Sequence, residues 1–273
     1  MKIILGGVRG TSSTAQPEFR EFGGETTSIL VRGRDGETVI LDAGTGIRML
    51  GQSLRKDAPR ELLLLLTHYH LDHIIGWPSF PLLYQKDLVL RVASSHGGGR
   101  EAEQILSQLM QQPFWPVQMD GAHADLRFEE TPPQFGGLHI RSCPVHHPGG
   151  CVAYRLDEPA TGASVVLATD IEWPISTGRE KEDLLSLCRD PAPCGLLLFD
   201  GQYSRDEYPA FAGWGHSCWE DAVEVAAASG VGRLLVIHHA PDSQDEQLER
   251  VRHGLRDARP GSDLACDGME VDL

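Results

Sequence analysis

Positive charge and long apolar runs are both scarce in this sequence. The chain has 273 residues, of which 24 are Lys or Arg and 39 are Asp or Glu, for a formal net charge of −15. Proteins that grip a nucleic-acid polymer usually present a basic face, so binding along a phosphate backbone is disfavoured. No apolar run approaches the roughly 20 residues that cross a bilayer, and Met1–Arg9 has too short an apolar core for a secretory signal. These absences predict a cytoplasmic protein with no membrane partner and no long nucleic-acid partner.

The sequence also lacks the cysteine spacing of a zinc ribbon or a redox motif. It has six cysteines, and none forms a Cys-x-x-Cys pair. A chain of this length buries a large core without disulfides, so the thiols are expected to be reduced and mostly buried. Cys143 lies near a histidine pair in the sequence, and a metal role for it is the less favoured alternative.

Four side chains that can bind metal fall within six residues. The apolar run Leu62–Leu66 predicts a buried strand, and the segment THYHLDH follows it at residues 67–73. Because side chains alternate along an extended strand, His68 and His70 are expected on the same side. If the chain turns after residue 71, Asp72 and His73 can face the same space. Such a set could hold two metal ions, and it suits zinc and also iron or manganese.

Apolar runs and amphipathic stretches predict an alternation of strands and helices. The predicted strands are Ser28–Arg32, Thr38–Asp42, Leu62–Leu66, Leu88–Ala93, Leu138–Cys143, Cys151–Leu156, Val165–Thr169, Leu196–Phe199 and Arg233–His238, and the predicted helices are Arg100–Gln111, Glu180–Arg189, Cys218–Ser229 and Gln244–Arg256. This order favours an α/β sandwich of two sheets with outer helices. We expect one domain, residues 1–273, with two related halves of about 1–135 and 136–273.

Capping patterns mark two of the helix starts. Ser217-x-x-Glu220 and Ser243-x-x-Glu246 have the spacing of capping boxes. Gly230 fits the C-terminal end of the helix that follows Ser217.

Further acidic and imidazole side chains stand at the ends of other predicted strands. They are Asp42, His146, His147, Asp170, Asp200, His238 and His239. Burying such groups is costly unless they are paired or bind metal, so their repeated placement indicates that they share one edge of the fold.

The residue 68–73 motif is followed by histidines and aspartates at later strand ends. This series resembles the metal ligands of the metallo-β-lactamase superfamily, and the resemblance covers nearly the whole chain. The resemblance implies an αββα four-layer sandwich of two mixed β-sheets flanked by helices. It also implies two divalent metal ions, zinc first, with manganese or iron as alternatives. The implied ligands are His68, His70 and His147 for one ion, Asp72, His73 and His238 for the other, and Asp170 as a bridge. Asp42 would orient a ligand from behind, and His146 and His239 remain alternatives to their neighbours.

A second motif is similar to one branch of this superfamily. Residues 213–217, Gly-Trp-Gly-His-Ser, resemble the Gly-His-Ser motif of ribonuclease Z-like phosphodiesterases, and residues 23–28 also resemble that branch. A histidine at a helix start stands beside free N–H groups that attract phosphate oxygens. The implied catalytic residues are His216, which would protonate the leaving group, Asp200, which would align it, and Asp72, which would accept a proton. Asp200 is an aspartate where that branch has a glutamate.

The interval between two of the implied ligands indicates the size of the substrate. Ribonuclease Z carries an arm for transfer RNA there, whereas residues 148–169 of this chain fit two strands and a short turn. We therefore expect hydrolysis of a small phosphodiester, such as a cyclic nucleotide, through a metal-bridging hydroxide. A homodimer is left open.

Two other functions fit the same motif. One is hydrolysis of a carbonyl substrate, namely a thioester, lactone or lactam, and the other is non-catalytic binding of a metabolite by a sensor. Glu172 follows Asp170 closely and fits either a supporting role or a loop. The aromatic residues fit either the core or a base-stacking pocket: Trp77, Phe80, Tyr84, Phe114, Trp115, Trp173, Tyr203 and Trp214.

Overall fold

The computed structural model of this chain describes residues 1–57 and 59–273, apart from the side chain of Asp57, and it contains two mixed seven-stranded sheets. The strands are β1 (Lys2–Gly7), β2 (Ser28–Arg32), β3 (Thr38–Leu41), β4 (Glu61–Leu66), β5 (Val89–Ser94), β6 (Asp125–Glu129), β7 (Gln134–Phe135), β8 (Leu138–Val145), β9 (Cys151–Glu158), β10 (Ala163–Ala168), β11 (Leu196–Asp200), β12 (Arg233–Ile237), β13 (Asp263–Leu264) and β14 (Glu270–Asp272). The helices are α1 (Ile47–Asp57), α2 (Leu71–Ile74), α3 (Gly98–Leu109), α4 (Gly178–Arg189), α5 (Trp219–Ser229) and α6 (Asp245–Ala258).

The first sheet contains the first six strands of the chain and the second sheet contains the next seven, with the last strand as the exception. The first sheet runs β14-β1-β2-β3-β4-β5-β6 and the second runs β13-β12-β11-β10-β9-β8-β7. The last strand therefore returns to the first sheet, where Val271 pairs with Ile3. The predicted division into related halves, about 1–135 and 136–273, stays a prediction.

Buried apolar side chains fill the spaces between four layers. One cluster joins the inner faces of both sheets, and two others join each sheet to its own helices. The leucine run of β4 shows how the layers are built, since Leu63 and Leu65 face the other sheet while Leu62, Leu64 and Leu66 face the helices. A strand buried on both faces has no polar alternation, as the sequence indicated. The predicted αββα sandwich is confirmed.

All of the predicted strands and helices are present, with ends shifted by up to two residues. The structure also has elements that were not predicted, namely strands β1, β6, β7, β13 and β14 and helices α1 and α2. None of the described helices is long and apolar enough to cross a membrane.

Both predicted capping boxes are wrong by one residue. Helix α5 begins after Cys218, whose N–H donates to Asp221 Oδ2 at 3.0 Å. Ser217 is not the cap because its hydroxyl donates to the Ile171 carbonyl. Helix α6 begins after Gln244, which forms its box with Gln247 and not between Ser243 and Glu246. The C-terminal glycine is confirmed, since Gly230 has φ 67°.

Candidate metal centre

Three strands end in a residue with left-handed backbone at one edge of the sandwich. Asp42 after β3, Asp170 after β10 and His238 after β12 have φ of 62°, 53° and 63°. The strands expected to end at Asp42, Thr169 and His238 each end one residue earlier. Non-glycine residues rarely adopt this conformation, and such strain is common at functional sites. The turn aims each side chain across the edge of the sheet.

The first group of metal-competent atoms comes from three histidines and one carboxylate. One donor atom of each of His68, His70, His147 and Asp170 lies within 4.8 Å of the others. His147 Nε2 lies 3.0 Å from His70 Nδ1 and 3.8 Å from Asp170 Oδ1. His68 Nε2 lies 3.7 Å from the same oxygen. The first implied ligand set is therefore brought together.

The second group shares the same aspartate through its other oxygen. His73 Nε2 and His238 Nε2 lie 3.0 Å and 3.3 Å from Asp170 Oδ2, and each lies 3.3 Å from Asp72 Oδ2. The backbone N–H of Thr11 donates to the same Asp72 oxygen at 2.8 Å. Because the two oxygens of Asp170 face different groups, its position is that of a bridge.

Hydrogen bonds behind the histidines decide which ring nitrogen faces the centre. Asp42 Oδ2 accepts from His73 Nδ1 and from the Thr67 hydroxyl, both at 2.8 Å. Since the Thr67 hydroxyl is already a donor, it accepts from His68 Nδ1 at 3.0 Å. His147 Nδ1 donates to the Gly215 carbonyl at 2.8 Å. In all three rings Nε2 is left facing the centre, as a metal ligand requires.

The donor set fits divalent cations on two further observations. His68 Nε2 is buried and has no hydrogen-bond partner, although such a group is normally satisfied. Burial opposes protonation of His73, but the Asp170, Asp72 and Asp42 carboxylates outweigh it and raise the pKa of this imidazole. The pocket thus draws a positive charge, and a bound metal would displace that proton.

The three histidines of the first group favour the neutral form. Burial is the main cause that lowers the pKa of His68, His70 and His147. Metal ions bind neutral imidazole, so these shifts suit a ligand role.

The neighbouring histidines point elsewhere. The His146 side chain is 38% exposed and lies 3.5 Å from Glu180 Oε1. His239 Nε2 donates to the Ala265 carbonyl at 2.9 Å. Among the described residues, Cys143 belongs to no group that could hold a metal.

His216 and Asp200 form a pair at the edge of both groups. His216 Nδ1 donates to Asp200 Oδ2 at 2.9 Å, and Asp200 Oδ1 accepts from the backbone N–H of Ser217 at 3.1 Å. The His216 ring stacks on His238 with centroids 4.9 Å apart. Burial opposes protonation of His216, but the Asp200 carboxylate prevails and raises its pKa to about 8. The predicted pairing of these two residues is what the structure shows, while their catalytic roles stay predictions.

Glu172 holds the loop that supports the site. This fully buried carboxylate accepts from the backbone N–H groups of Gly213 at 2.6 Å and Gly215 at 2.8 Å, and from the Tyr208 hydroxyl at 2.7 Å. Gly215 is the residue whose carbonyl orients His147. Glu172 therefore fixes the loop whose Gly215 carbonyl accepts from His147, and the sequence signal was only its closeness to Asp170.

Known proteins resemble this chain over most of its length. The model of the beta-lactamase superfamily domain matches residues 37–239. A ribonuclease Z of Agathobacter rectalis is 23% identical over 270 residues, covering 84% of this chain and 88% of the relative.

Two solved structures share the fold. A diphosphatase of the PhnP family has a TM-score of 0.70 at 17% identity, covering 100% of this chain and 97% of its own. Yeast PDE1 has a TM-score of 0.66 at 15% identity, covering 100% and 99%. At such identities the likeness concerns the fold alone. On the family match, the chain belongs to the β-lactamase superfamily, as a hydrolase of the metallo-β-lactamase fold.

Proposed function

We propose that this protein is a dinuclear metal-dependent phosphodiesterase that acts on a small phosphodiester, with a cyclic nucleotide as the leading candidate. The observation that carries the proposal is the His216–Asp200 pair beside the metal-binding groups. His216 Nδ1 lies 2.9 Å from Asp200 Oδ2 and 3.9 Å from Asp170 Oδ1. A protonated His216 held beside the Asp170 carboxylate suits a reaction in which the leaving alkoxide needs a proton.

The donor atoms would hold two divalent ions, with zinc expected and manganese or iron as alternatives. The proposed ligands are His68, His70 and His147 for one ion, Asp72, His73 and His238 for the other, and Asp170 for both. When bound, the ions would lower the pKa of a water molecule and offset charge on the phosphoryl oxygens.

The protein's own side chains account for the protons. Asp200 fixes the Nδ1–H of His216, so the opposite nitrogen of the protonated ring gives its proton to the leaving oxygen. Asp72 accepts the proton that the attacking water loses. A P–O bond to water forms as the P–O bond to the alkoxide breaks, and the product is a phosphomonoester.

Two features support a small substrate. The interval that would carry an RNA-holding arm contains β9, residues 159–162 and β10, which pair as a hairpin with Ala163 opposite Glu158. The net charge of −15 also disfavours a polyanion.

The test compares substrates and variants of the metal-loaded protein. Bis-p-nitrophenyl phosphate, a cyclic nucleotide, a thioester, a lactone and a lactam are assayed side by side, with metal content measured by plasma mass spectrometry. We expect turnover of the phosphodiesters, and His216→Ala should lower it about 10²- to 10⁴-fold while two ions per chain remain bound. His146→Ala is the matched control and should keep the full rate, because its side chain faces Glu180.

Two results would contradict the proposal. Turnover confined to the carbonyl substrates would assign the site to the carbonyl hydrolases. Binding of a phosphodiester without turnover at full metal occupancy would assign it to the metabolite sensors.

A further inference from the structure

One aromatic side chain beside the metal centre is exposed although its surroundings are rigid. Trp214 is 63% exposed, while the next three residues of the loop, Gly215 to Ser217, are buried. An exposed indole on a hydrogen-bonded loop leaves a large apolar face open to a ligand, and burying that face would be favourable.

The backbone on both sides of Trp214 is fixed. The N–H groups of Gly213 and Gly215 both donate to the buried Glu172 carboxylate. A Cβ atom on Gly215 would lie 2.2 Å from His147 Nδ1, so this backbone packs directly on a proposed metal ligand. The Trp214 Cα is therefore one residue away from the wall of the metal centre.

A series of aromatic rings connects the indole to the proposed acid. The Trp214 ring meets Phe211 edge to face at 5.5 Å, and Phe211 stacks on Tyr203 at 4.4 Å with 3° between the planes. Tyr203 in turn lies 6.2 Å from the His216 ring. Because Phe211 supports the indole from one side, little conformational entropy is lost when a ligand stacks on it.

We propose that Trp214 is a stacking subsite for an aromatic group of the substrate, so that the scissile phosphodiester belongs to a nucleotide whose base stacks on the indole. This inference rests on the proposed function and deepens it. Every base has a π face, so stacking on an indole favours nucleotides over aliphatic phosphodiesters without selecting one base. Trp214 precedes His216 by two residues in the same loop, so we place the stacked ring on the side of the site where His216 stands.

The experiment uses two substrates that differ only in the base. They are cyclic adenosine monophosphate and the corresponding cyclic phosphate of methyl riboside, which has a methoxy group in place of adenine. For Trp214→Ala, we expect KM for the adenine compound to rise about 5- to 150-fold relative to KM for the methyl riboside compound. Trp214→Phe should recover most of the loss. Phe114→Ala removes an aromatic that is 77% exposed elsewhere and should change neither constant.

A binding measurement separates this inference from the proposed function. Adenosine monophosphate is titrated into the metal-loaded wild-type protein and into Trp214→Ala by calorimetry, and the same 5- to 150-fold loss is expected. Equal affinities, no binding to the wild type, or equal KM changes for both substrates would overturn the subsite. Loss of nucleotide binding in Trp214→Ala without phosphodiester turnover by the wild type would reject the proposed function and keep the subsite.

Discussion

The replacement Glu172→Gln tests whether the loop of residues 213–215 maintains the metal centre. The carboxylate has two acceptor oxygens, which receive Tyr208 and Gly213 on Oε1 and Gly215 on Oε2. A Gln side chain has one acceptor oxygen, and its NH₂ group must face at least one of these donors. In the better orientation the oxygen keeps Tyr208 and Gly213, and the N–H of Gly215 loses its acceptor.

The magnitude follows from that one buried donor. An unsatisfied buried N–H costs about 1–3 kcal/mol, so the free energy of unfolding should fall by that amount. Release of Gly215 also frees the carbonyl that orients His147, at 2.8 Å. Loss of a partner behind a ligand typically weakens metal binding about 10- to 100-fold. Urea unfolding of the apo protein and a competitive zinc titration measure the two effects separately.

Tyr208→Phe is the matched control. It removes one hydrogen bond but leaves the carboxylate and both glycine contacts, so we expect a loss of about 0.5–1.5 kcal/mol in stability. Metal affinity should stay at the wild-type level. The reasoning is refuted if Glu172→Gln keeps wild-type zinc affinity, or if Tyr208→Phe weakens zinc binding as much as Glu172→Gln does.

Three further predictions concern other parts of the site and fold. Asp42→Asn should weaken zinc binding about 10- to 100-fold, because an amide has one acceptor oxygen and its NH₂ group must face either the Thr67 N–H on Oδ1 or the Thr67 hydroxyl and His73 on Oδ2; a zinc titration that matches the wild type would contradict this. Gly215→Ala should abolish binding of at least one metal ion, since φ is 95° and the new Cβ would meet His147 at 2.2 Å, and full occupancy by plasma mass spectrometry would count against it. Burial raises the pKa of Glu158, but its hydrogen bonds and the N-terminal ammonium prevail and hold it below 4.5. The stabilisation of the fold by ionised Glu158 is therefore complete at pH values above the pKa of this residue in the unfolded chain. It is lost as the pH falls through the lower pKa of Glu158 in the folded protein. The stability deficit of Glu158→Gln in urea should accordingly shrink as pH drops below about 4, and a deficit that is constant with pH would exclude this account.

The grouping of these histidines and carboxylates could be predicted because much of its signal is local in the sequence. A run of buried leucines followed by His, His, Asp and His identifies a strand end whatever the rest of the chain does. The later candidate ligands also follow apolar runs, and parallel strands such as β10, β11 and β12 bring their ends together. The choice of His147 over His146 and of His238 over His239 depended on the resemblance, because two adjacent histidines have equal local signals.

The features that the sequence did not predict depend on contacts between residues that are distant in the chain. Glu172 meets residues 41 and 43 positions away, which no local pattern encodes. Helix α1 was missed because Gly51 interrupts it, and that glycine is needed where the helix packs on Phe80 and Pro81. Ser217 has the spacing of a helix cap, but its hydroxyl is committed to the segment after Asp170.

Anomalous scattering from crystals grown with zinc tests the central claim most directly. The account predicts two peaks separated by Asp170, one beside His68, His70 and His147 and the other beside Asp72, His73 and His238. No peak, a peak beside only one of the groups, or peaks away from Asp170 would contradict it.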